Sequence, residues 1–355
     1  MSDEVIMICP ELTPGAGGLA DYTLRVIEQW EDRQPVRFLL PHGAPPTPHR
    51  GVEMIERNRG ALRESLPAHG GRVLLQYSAY GFDRLGYPRW LLRALADWKK
   101  NSAGRLVIMF HEIWGFWPWR NRNHLVQQFH RREISKILAL ADAIFTSTAS
   151  QAEHLRELRP RAPIELLPVG TNIRVVATPV QREHGTAVLF GLQGSRVKAL
   201  RALGADLKTL VGSGRITKLL TIGEASDEER ALLAALLPRE TFEQLGRLPE
   251  EEVSKIFATA EFGVSAQDEL SLTKSGTFMA YAAHGSNIIS PLGGHANASE
   301  PICWLTQAQE LRSGLTSDAL AARAQNLRAW QERTSSWPMI AHRFAQALEL
   351  EGAAS

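Results

Sequence analysis

Several things that this sequence has little of narrow the class of protein. There are two cysteines, Cys9 and Cys303, with no histidine or cysteine close by at the spacing of metal ligands. This pattern predicts free thiols in a reducing compartment. No apolar run approaches the roughly 18 residues of a membrane-spanning helix, and the one at the N-terminus is too short for a signal peptide. Net charge is only +2, so no overall field points to nucleic acid. We therefore expect a cytoplasmic protein that binds no nucleic acid.

What is present is an ordinary globular composition over 355 residues, with 44% hydrophobic residues, which is long enough for about two domains. Short apolar runs alternate with helical patterns, and this alternation predicts parallel sheets covered on both faces. The first series of predicted strands is 5–9, 36–40, 73–76, 106–110, 143–146 and 164–167. The second series is 187–190, 218–222, 262–265 and 287–290. The segment 170–185 between them carries no clear helical pattern, so the domain boundary is expected there.

A glycine-rich loop at 14–22 (PGAGGLADY) follows the first predicted strand and opens a helix. Glycines allow a ligand to approach the backbone closely, and a helix N-terminus offers free N–H groups to an anion. A tight turn without a ligand is the alternative. The G-x-G-x-x-G spacing of dinucleotide-binding dehydrogenases is absent.

His111 stands at the carboxyl end of a predicted parallel strand, the edge at which open α/β sheets bind ligands. Its imidazole could donate a hydrogen bond or transfer a proton near neutral pH. The alternative is a histidine satisfied by nearby backbone. The tryptophans that follow, including Trp114 and Trp117, fit core positions, a wall for stacking a sugar, or a contact with a partner or membrane.

Two later segments combine glycine with cations after a predicted strand. In 190–198 (FGLQGSRVK), Arg196 and Lys198 precede a helix expected at 199–207 and would clamp a diphosphate. In 274–277 (KSGT), Lys274, Ser275, Gly276 and Thr277 begin a helix that ends at Gly285, which predicts a phosphate-binding helix start. The alternatives are solvated charges in the first segment and a plain Ser/Thr cap with a surface lysine in the second.

These segments, in this order, resemble retaining GT-B glycosyltransferases of the large family 4 type. The resemblance covers nearly the whole chain; each segment alone is short, but their order is specific. The segments that carry it are 17–22, 141–148 with 167–173, 247–249 with 253–261, 282–285 and 337–341.

The resemblance implies two Rossmann-like domains that face each other across a cleft, with a C-terminal helix crossing back to the first domain. Residues 1–172 would form the acceptor-side domain, 173–336 the nucleotide-sugar domain, and 337–355 the returning helix. Lys198 and Arg196 would hold the donor diphosphate, His111 would lie beside the transferred sugar, and Gly17 and Gly18 would face the diphosphate.

The same resemblance implies the partners of the protein. The donor would be a nucleotide-diphosphate sugar, used without a metal ion or other cofactor, since cations and helix termini can neutralise the leaving group. The acceptor would be a glycan, a lipid-linked sugar or a small molecule, bound on the side of Asp21, Trp114 and Trp117. Peripheral contact with the inner face of a membrane is kept as an alternative, and the oligomeric state is left open.

One departure from the family pattern concerns its two glutamates, eight residues apart in the donor loop. The position of the second is Ala280 here, and Asp268 or Glu269 would replace the first as the catalytic carboxylate. The donor sugar and the stereochemical outcome are therefore open. Two other functions compete with transfer: a nucleotide-sugar epimerase of the same fold, and a donor-binding protein without catalysis.

Overall fold

The computed structural model describes residues 4–15, 17–30, 35–114, 123–176, 181–293 and 299–350. Within it the chain divides into two compact units. Unit 1 comprises Met1–Pro168 together with Trp337–Ser355, and unit 2 comprises Val169–Ser336. In the described segments, no helix is both long enough and apolar enough to cross a bilayer.

Unit 1 is built on a seven-stranded sheet in which every neighbouring pair is parallel. Its strands are β1 (Val5–Ile8), β2 (Val36–Pro41), β3 (Val52–Ile55), β4 (Arg72–Tyr77), β5 (Arg105–Phe110), β6 (Ala143–Thr146) and β7 (Ile164–Leu166). The spatial order is β3-β2-β1-β4-β5-β6-β7. Its helices are α1 (Gly18–Glu28), α2 (Arg59–Ser65), α3 (Ala79–Phe82), α4 (Arg89–Asn101), α5 (Asn123–Leu138), α6 (Ala149–Arg156) and, from the end of the chain, α13 (Trp337–Ala347).

Unit 2 repeats the same winding on five parallel strands in the order β10-β9-β8-β11-β12. These are β8 (Glu183–Phe190), β9 (Lys218–Ile222), β10 (Phe242–Gln244), β11 (Ala260–Val264) and β12 (Asn287–Ile289). The helices are α7 (Gln193–Gly212), α8 (Asp227–Leu236), α9 (Glu250–Thr259), α10 (Gly276–Ala283), α11 (Ala308–Arg312) and α12 (Ser317–Ser335).

The central strands of both sheets are buried on two faces, which is why they are continuous apolar runs rather than alternating ones. In each unit the strand order reverses beside the first strand, between β1 and β4 and between β8 and β11. A crevice at the carboxyl ends of such a pair is where doubly wound sheets bind ligands. The prediction of two Rossmann-like parallel sheets is confirmed, and every strand of both predicted series is present.

Two strands and one helix boundary differ from the sequence-based expectation. Strands β3 and β10 were not predicted, because both are short edge strands with charged or polar residues. Helix α7 begins at Gln193 rather than at residue 199. Arg196 and Lys198 therefore lie inside its first two turns instead of in a loop before the helix.

Helix α10 is positioned by one tyrosine. The Tyr281 hydroxyl accepts a hydrogen bond from the backbone N–H of Phe190 and donates one to the carbonyl of Val188, both at 2.9 Å. Its ring lies against Gly263 of β11, where an added Cβ would come within 2.7 Å of ring carbons. The end of β8, the strand β11 and the start of α10 are thereby held together at the switch point of unit 2.

Candidate functional site

At the carboxyl edge of unit 2, the loop after β8 meets the start of α10. Gly191 has a φ of +129°, which favours glycine, and a Cβ there would lie 3.0 Å from the Thr277 hydroxyl. Ser275 caps α10 by accepting the N–H of Phe278 at 3.2 Å. The two segments predicted to bind phosphate, 190–198 and 274–277, therefore share this edge.

Lys198 and Asp268, predicted separately, are brought together here. The ammonium of Lys198 lies 3.1 Å from a carboxylate oxygen of Asp268, and the side chains are 52% and 57% exposed. The backbone N–H of Ser271 donates to the other oxygen at 3.0 Å. Hydrogen bonding from Ser271 and the charge of Lys198 hold the pKa of Asp268 below its ordinary value. The carboxylate predicted to be catalytic thus meets the cation that is predicted to bind phosphate.

Arg196 is buried and paired within the protein, whereas a residue that binds the donor would need an exposed guanidinium. Arg196 is 1% exposed and forms a buried salt bridge with Glu229 of α8 at 2.7 Å. Its remaining hydrogen bonds go to the carbonyls of Gly191 at 2.5 Å and Glu224 at 2.7 Å. The guanidinium joins α7, α8 and the two loops beside them, so it holds the shape of the edge and presents no open face to a ligand.

The KSGT segment is divided between two elements. Lys274 is exposed at the end of a single 3-10 turn, Leu272–Lys274, and Ser275 is the N-cap of α10. A Cβ at Gly276 would lie 3.1 Å from the Cβ of Asn172, which is tighter than ordinary packing. Close approach of Asn172 is therefore a structural reason for glycine at this position, independent of any ligand.

The position of the missing second glutamate lies inside α10 and faces the core. Ala280 is fully buried in α10, so its side chain is not available to a ligand, and its carbonyl accepts a hydrogen bond from His284 Nδ1 at 2.7 Å. Glu269 is exposed on the loop beside Asp268 and precedes Leu270, which is 68% exposed. Of the two carboxylates predicted to be catalytic, Asp268 has a defined cationic partner.

A groove of about 750 Å³ opens beside Lys198, between the first turns of α7 and the start of α8. It is lined by Gln193, Gly194, Val197, Lys198, Arg201, Ala202, Ser226 and Glu228. Its size is typical of small-molecule sites. Sequence reasoning missed Arg201 and Ser226. The three-residue spacing of Arg201 from Lys198 places them on the same helical face, but the sequence did not show which face was open.

In unit 1, His111 follows β5 and is largely buried. Its Nε2 donates to the side-chain oxygen of Gln76 on β4 at 2.6 Å, and its ring meets the edge of Tyr22 of α1 with centroids 4.9 Å apart. Two buried atoms beside it, the Tyr22 hydroxyl and the Gln76 amide nitrogen, have no hydrogen-bond partner among the described residues. Burial raises the pKa of Tyr22, so the hydroxyl stays neutral. Unpartnered buried polar groups are uncommon and call for a water or a ligand.

In the glycine loop of unit 1, Gly18 has open space beside its backbone, whereas Gly17 does not. The carboxylate of Asp21 accepts the N–H of Gly15 at 2.8 Å and so closes the loop on the first turn of α1. A Cβ at Gly17 would meet the carboxylate of Glu11 at 2.7 Å, whereas a Cβ at Gly18 would meet nothing within 4 Å. Ala16 lies outside the described residues.

Of the two tryptophans predicted to face the acceptor, the structure describes only Trp114. Trp114 is 5% exposed, belongs to the main hydrophobic core of unit 1 and has the guanidinium of Arg131 5.1 Å from its ring centre. These contacts favour the core interpretation over an acceptor wall. Trp117 lies outside the described residues.

Within the described ranges, no three His, Cys, Asp or Glu side chains come together as metal ligands would. Cys9 is buried and Cys303 partly exposed, and both are free thiols. Metal-independent chemistry stays a prediction.

No model of a known protein family matches the sequence, and no curated protein matches it. Solved structures do match over essentially the full length. Sucrose-phosphate synthase from Thermosynechococcus elongatus aligns with a TM-score of 0.63 at 16% identity, covering 100% of both chains. A glycosyltransferase from Rickettsia africae gives 0.68 at 13% identity over 98% of both chains. The E. coli trehalose-6-phosphate structure bound with UDP-2-fluoro glucose gives 0.63 at 12% identity, covering 98% of this chain and 99% of the other.

At such identities the likeness establishes the fold. The chain has the two-sheet α/β fold of GT-B glycosyltransferases, and the predicted fold class is confirmed.

Proposed function

We propose that this protein transfers a sugar from a nucleoside-diphosphate sugar to the hydroxyl of an acceptor, without a metal ion and with retention of configuration. The observation that carries the proposal is Lys198 in the second turn of α7, where it pairs with Asp268 of the loop after β11 and lines a groove of small-molecule size. A solved structure of this fold holds a UDP-sugar analogue.

Unit 2 would bind the donor through its diphosphate. Lys198 and Lys274 supply positive charge, and the first N–H groups of α7 and α10 donate hydrogen bonds to phosphate oxygens. Thr277 and Ser275 lie at the same helix start. As the bond between the sugar and the phosphate breaks, charge grows on the diphosphate, and fixed donors of this kind stabilise it most where water is excluded.

Arg196 would act as a positioning residue. Its bonds to Gly191 and Glu229 fix the loop after β8 against α8, so that α7 presents Lys198 on its outer side. This revises the expectation that Arg196 itself touches the donor.

Unit 1 would supply His111, close to the reacting sugar. The imidazole is oriented by Gln76, and the unpartnered Tyr22 hydroxyl and Gln76 amide leave hydrogen-bonding capacity for a water or a sugar hydroxyl beside it. The acceptor oxygen forms the new bond to the sugar carbon, the bond to the diphosphate oxygen breaks, and the proton of the acceptor hydroxyl leaves with the diphosphate or solvent.

The two free thiols fit a reducing compartment, and we place the reaction in the cytoplasm.

The proposal is tested by a panel of nucleoside diphosphates and their sugars. A true donor nucleotide at about one hundred times its Kd should stabilise the folded chain by about 2.7 kcal/mol and raise its Tm. The matching nucleotide sugar should then release nucleoside diphosphate faster when an acceptor is present. An isomerised nucleotide sugar would identify an epimerase, and tight binding without turnover would identify a donor-binding protein. The absence of any nucleotide-dependent shift or release would overturn the proposal.

A further inference from the structure

The buried ring of Tyr22, on α1, contacts rings from two other parts of unit 1. Its plane makes an angle of 80° with that of His111, with centroids 4.9 Å apart, and of 71° with that of Trp337, with centroids 5.3 Å apart. Phe344, two turns further along α13, has its centroid 6.4 Å from that of Tyr22. Tyr22 therefore connects the helix near the end of the chain to the imidazole that follows β5.

The contact with Tyr22 restrains a motion of His111 that its hydrogen bond to Gln76 restrains only weakly. Rotation about χ2 of a histidine has a broad energy profile, and Nε2 lies close to the axis of that rotation. The bond from Nε2 to Gln76, at 2.6 Å, therefore fixes one atom more firmly than it fixes the plane of the ring. An edge-to-face contact between aromatic rings favours one relative tilt. Tyr22 thereby sets the plane of the imidazole and the direction of its nitrogens.

Arginines at the starts of two strands tie the end of α13 to the sheet of unit 1. The guanidinium of Arg72 donates to the carbonyls of Leu348 and Glu349, both at 3.1 Å, and Arg105 donates to the carbonyl before them. Carbonyls at a helix C-terminus lack partners within the helix, and cations there also complement the helix dipole. Arg72 begins β4 and Arg105 begins β5. The end of α13 is thus fixed to the two strands that carry Gln76 and lead to His111.

The rest of α13 is held by burial of its apolar face. Phe344 is fully buried and meets Phe145 of β6 edge-on, with centroids 5.2 Å apart. Trp337, at the start of the helix, is partly buried. The hydroxyl of Tyr22 has no hydrogen-bond partner among the described residues, so in this structure Tyr22 is held through its ring. A displacement of α13 would therefore release the ring of Tyr22.

We propose that Tyr22 is the positioning residue for His111, and that α13 holds Tyr22 in place through Trp337 and Phe344. The ring of Tyr22, rather than its hydroxyl, keeps the imidazole in one orientation towards a bound sugar. The purpose of this orientation rests on the proposed function, but the geometry exists without any substrate. In the alternative, Tyr22 only fills space between α1 and α13, and its loss lowers stability while the imidazole stays in place.

The test observes the imidazole of His111 by NMR in the full chain without ligand. A buried ring N–H held in a hydrogen bond exchanges slowly with water and gives a proton signal, whereas the N–H of a mobile ring exchanges too fast. The protein is labelled with 15N-histidine, and the signal missing from His111→Gln identifies His111 among the 11 histidines. We expect the signal in the parent and in Tyr22→Phe, which keeps the ring. Tyr22→Leu should lose it, and Trp337→Leu should broaden it.

Leu348→Ala is the matched control for Trp337→Leu. Leu348 is fully buried and follows the last residue of α13, at the end opposite Trp337. Its truncation leaves a cavity and should lower Tm at least as much as Trp337→Leu does. The N–H signal of His111 should nevertheless match that of the parent, because Trp337 and Tyr22 keep their contact.

Four results would each overturn the proposal. They are absence of the signal in the parent, its persistence in Tyr22→Leu, its loss in Tyr22→Phe, and equal broadening in Leu348→Ala and Trp337→Leu. If Tyr22→Leu does not fold, an unchanged signal in Trp337→Leu is sufficient to reject the role of α13 and Tyr22.

A kinetic measurement separates this inference from the proposed function. With an active donor and acceptor, Tyr22→Leu should lower kcat on the order of ten- to one-hundred-fold and change KM for the donor less, because a displaced group costs rate more than binding. Loss of the imidazole signal with unchanged kcat would retain Tyr22 as the positioning residue and remove His111 from the reaction. The NMR signal requires no nucleotide sugar, so it can be present or absent whether or not transfer occurs.

Discussion

Lys198 meets a carboxylate of its own chain at the place where the proposed mechanism needs a phosphate. A donor diphosphate that binds Lys198 as proposed would therefore displace Asp268 from the ammonium. Since an exposed salt bridge contributes at most about 1 kcal/mol, we expect Asp268→Asn to strengthen nucleoside-diphosphate binding about two- to five-fold. Lys198→Ala should weaken it far more, because a charge-assisted contact is worth about 1.5–3 kcal/mol. Calorimetric titration of both variants and the double mutant measures the coupling.

The contact of Lys198 with the nucleotide and the competition by Asp268 are tested independently. If Lys198→Ala binds nucleotide as the parent does, with its Tm unchanged, Lys198 is not a donor ligand. If Asp268→Asn binds no more tightly while Lys198→Ala binds weakly, the carboxylate does not compete with phosphate.

His111 combines a structural hydrogen bond with a position at the ligand edge, so one substitution tests two effects. His111→Ala leaves the buried oxygen of Gln76 without its donor, which should cost about 1–3 kcal/mol of stability. If the imidazole also takes part in transfer, kcat should fall by more than donor affinity does. Gln76→Leu is the matched control, because it breaks the same bond and keeps the imidazole. We expect a similar fall in Tm with a smaller loss of kcat. Equal kcat values for folded His111→Ala and the parent would make His111 structural.

Residue roles were the least predictable part of the site. The strand pattern placed His111 and Lys198 at carboxyl edges of sheets, since that inference needs only the ends of apolar runs. It could not show that Glu229, far along the chain from Arg196, buries the guanidinium. Nor could it show that Ala280 faces the interior, because a run of small residues in a helix has no polar face to orient it.

At the scale of elements, the start of α1 offers a substitution with little structural cost. Gly18 lies in the first turn, and a Cβ there would have open space around it. Gly18→Ala should therefore leave Tm unchanged or raise it. Alanine lowers the conformational entropy of the unfolded chain, which stabilises the folded state by about 0.4–1 kcal/mol. If a ligand approaches the backbone at this point, turnover should nevertheless fall.

Gly212 provides the matched control for Gly18. It is the last residue of α7, and a Cβ there also meets nothing within 4 Å. Gly212→Ala should change stability in the same direction and leave turnover unaltered. Equal turnover in both variants would exclude close ligand contact at Gly18.

The end of α10 makes unit 2 sensitive to acid. His284 Nδ1 donates to the carbonyl of Ala280, and Nε2 accepts from the Ser254 hydroxyl at 2.9 Å. Burial, together with the charges of Arg182 and Arg328, lowers the pKa of His284 below its ordinary value of 6.5. Below pH 6.5, His284 is protonated in the unfolded chain but stays neutral in the folded chain. The free energy of unfolding therefore decreases as the pH falls from 6.5 towards the pKa of the folded state.

Chemical denaturation between pH 5 and 7.5 measures this dependence. The parent should lose stability across the acidic half of the range, and His284→Gln, which cannot titrate, should show a shallower dependence. Parallel curves for the two proteins would assign the acid sensitivity to other groups.

Helix ends that carry a capping residue could be predicted from the sequence. The start of α7 and the edge strand β3, which lack such residues, could not. Ser275 and Gly285 bound α10 as their cap chemistry indicates. Helix α7 begins six residues before the position that the sequence predicts, because Gly194 and Ser195 are poor helix formers. Their helical conformation depends on the contacts of Arg196 in the first turn. Strand β3 has an exposed methionine and a glutamate, and it pairs only along one side.

At the scale of the whole molecule, two units repeat one winding, with the first strand of each beside the point of reversal. Alternation of strand and helix patterns was sufficient to predict this repetition, because short right-handed crossovers leave few other arrangements. This alternation does not distinguish which of the two switch points would bind the proposed donor. That assignment now depends on charge: Lys198 and the open groove belong to unit 2, whereas the glycine loop of unit 1 has the carboxylates of Glu11 and Asp21 close to its backbone.

This difference predicts where a nucleotide acts on the full chain. A nucleoside diphosphate should slow amide hydrogen exchange at 191–198 and 268–277, since the first N–H groups of α7 and α10 would pass from water to phosphate oxygens. Exchange at 14–22 in unit 1 should change less with the nucleotide alone, because this loop would be completed by the sugar and acceptor. Hydrogen exchange with mass spectrometry, with and without saturating nucleotide, measures both segments, and Lys198→Ala at the same nucleotide concentration should lose the protection. Protection confined to 14–22 would place the nucleotide on unit 1 and reverse the assignment of the two units.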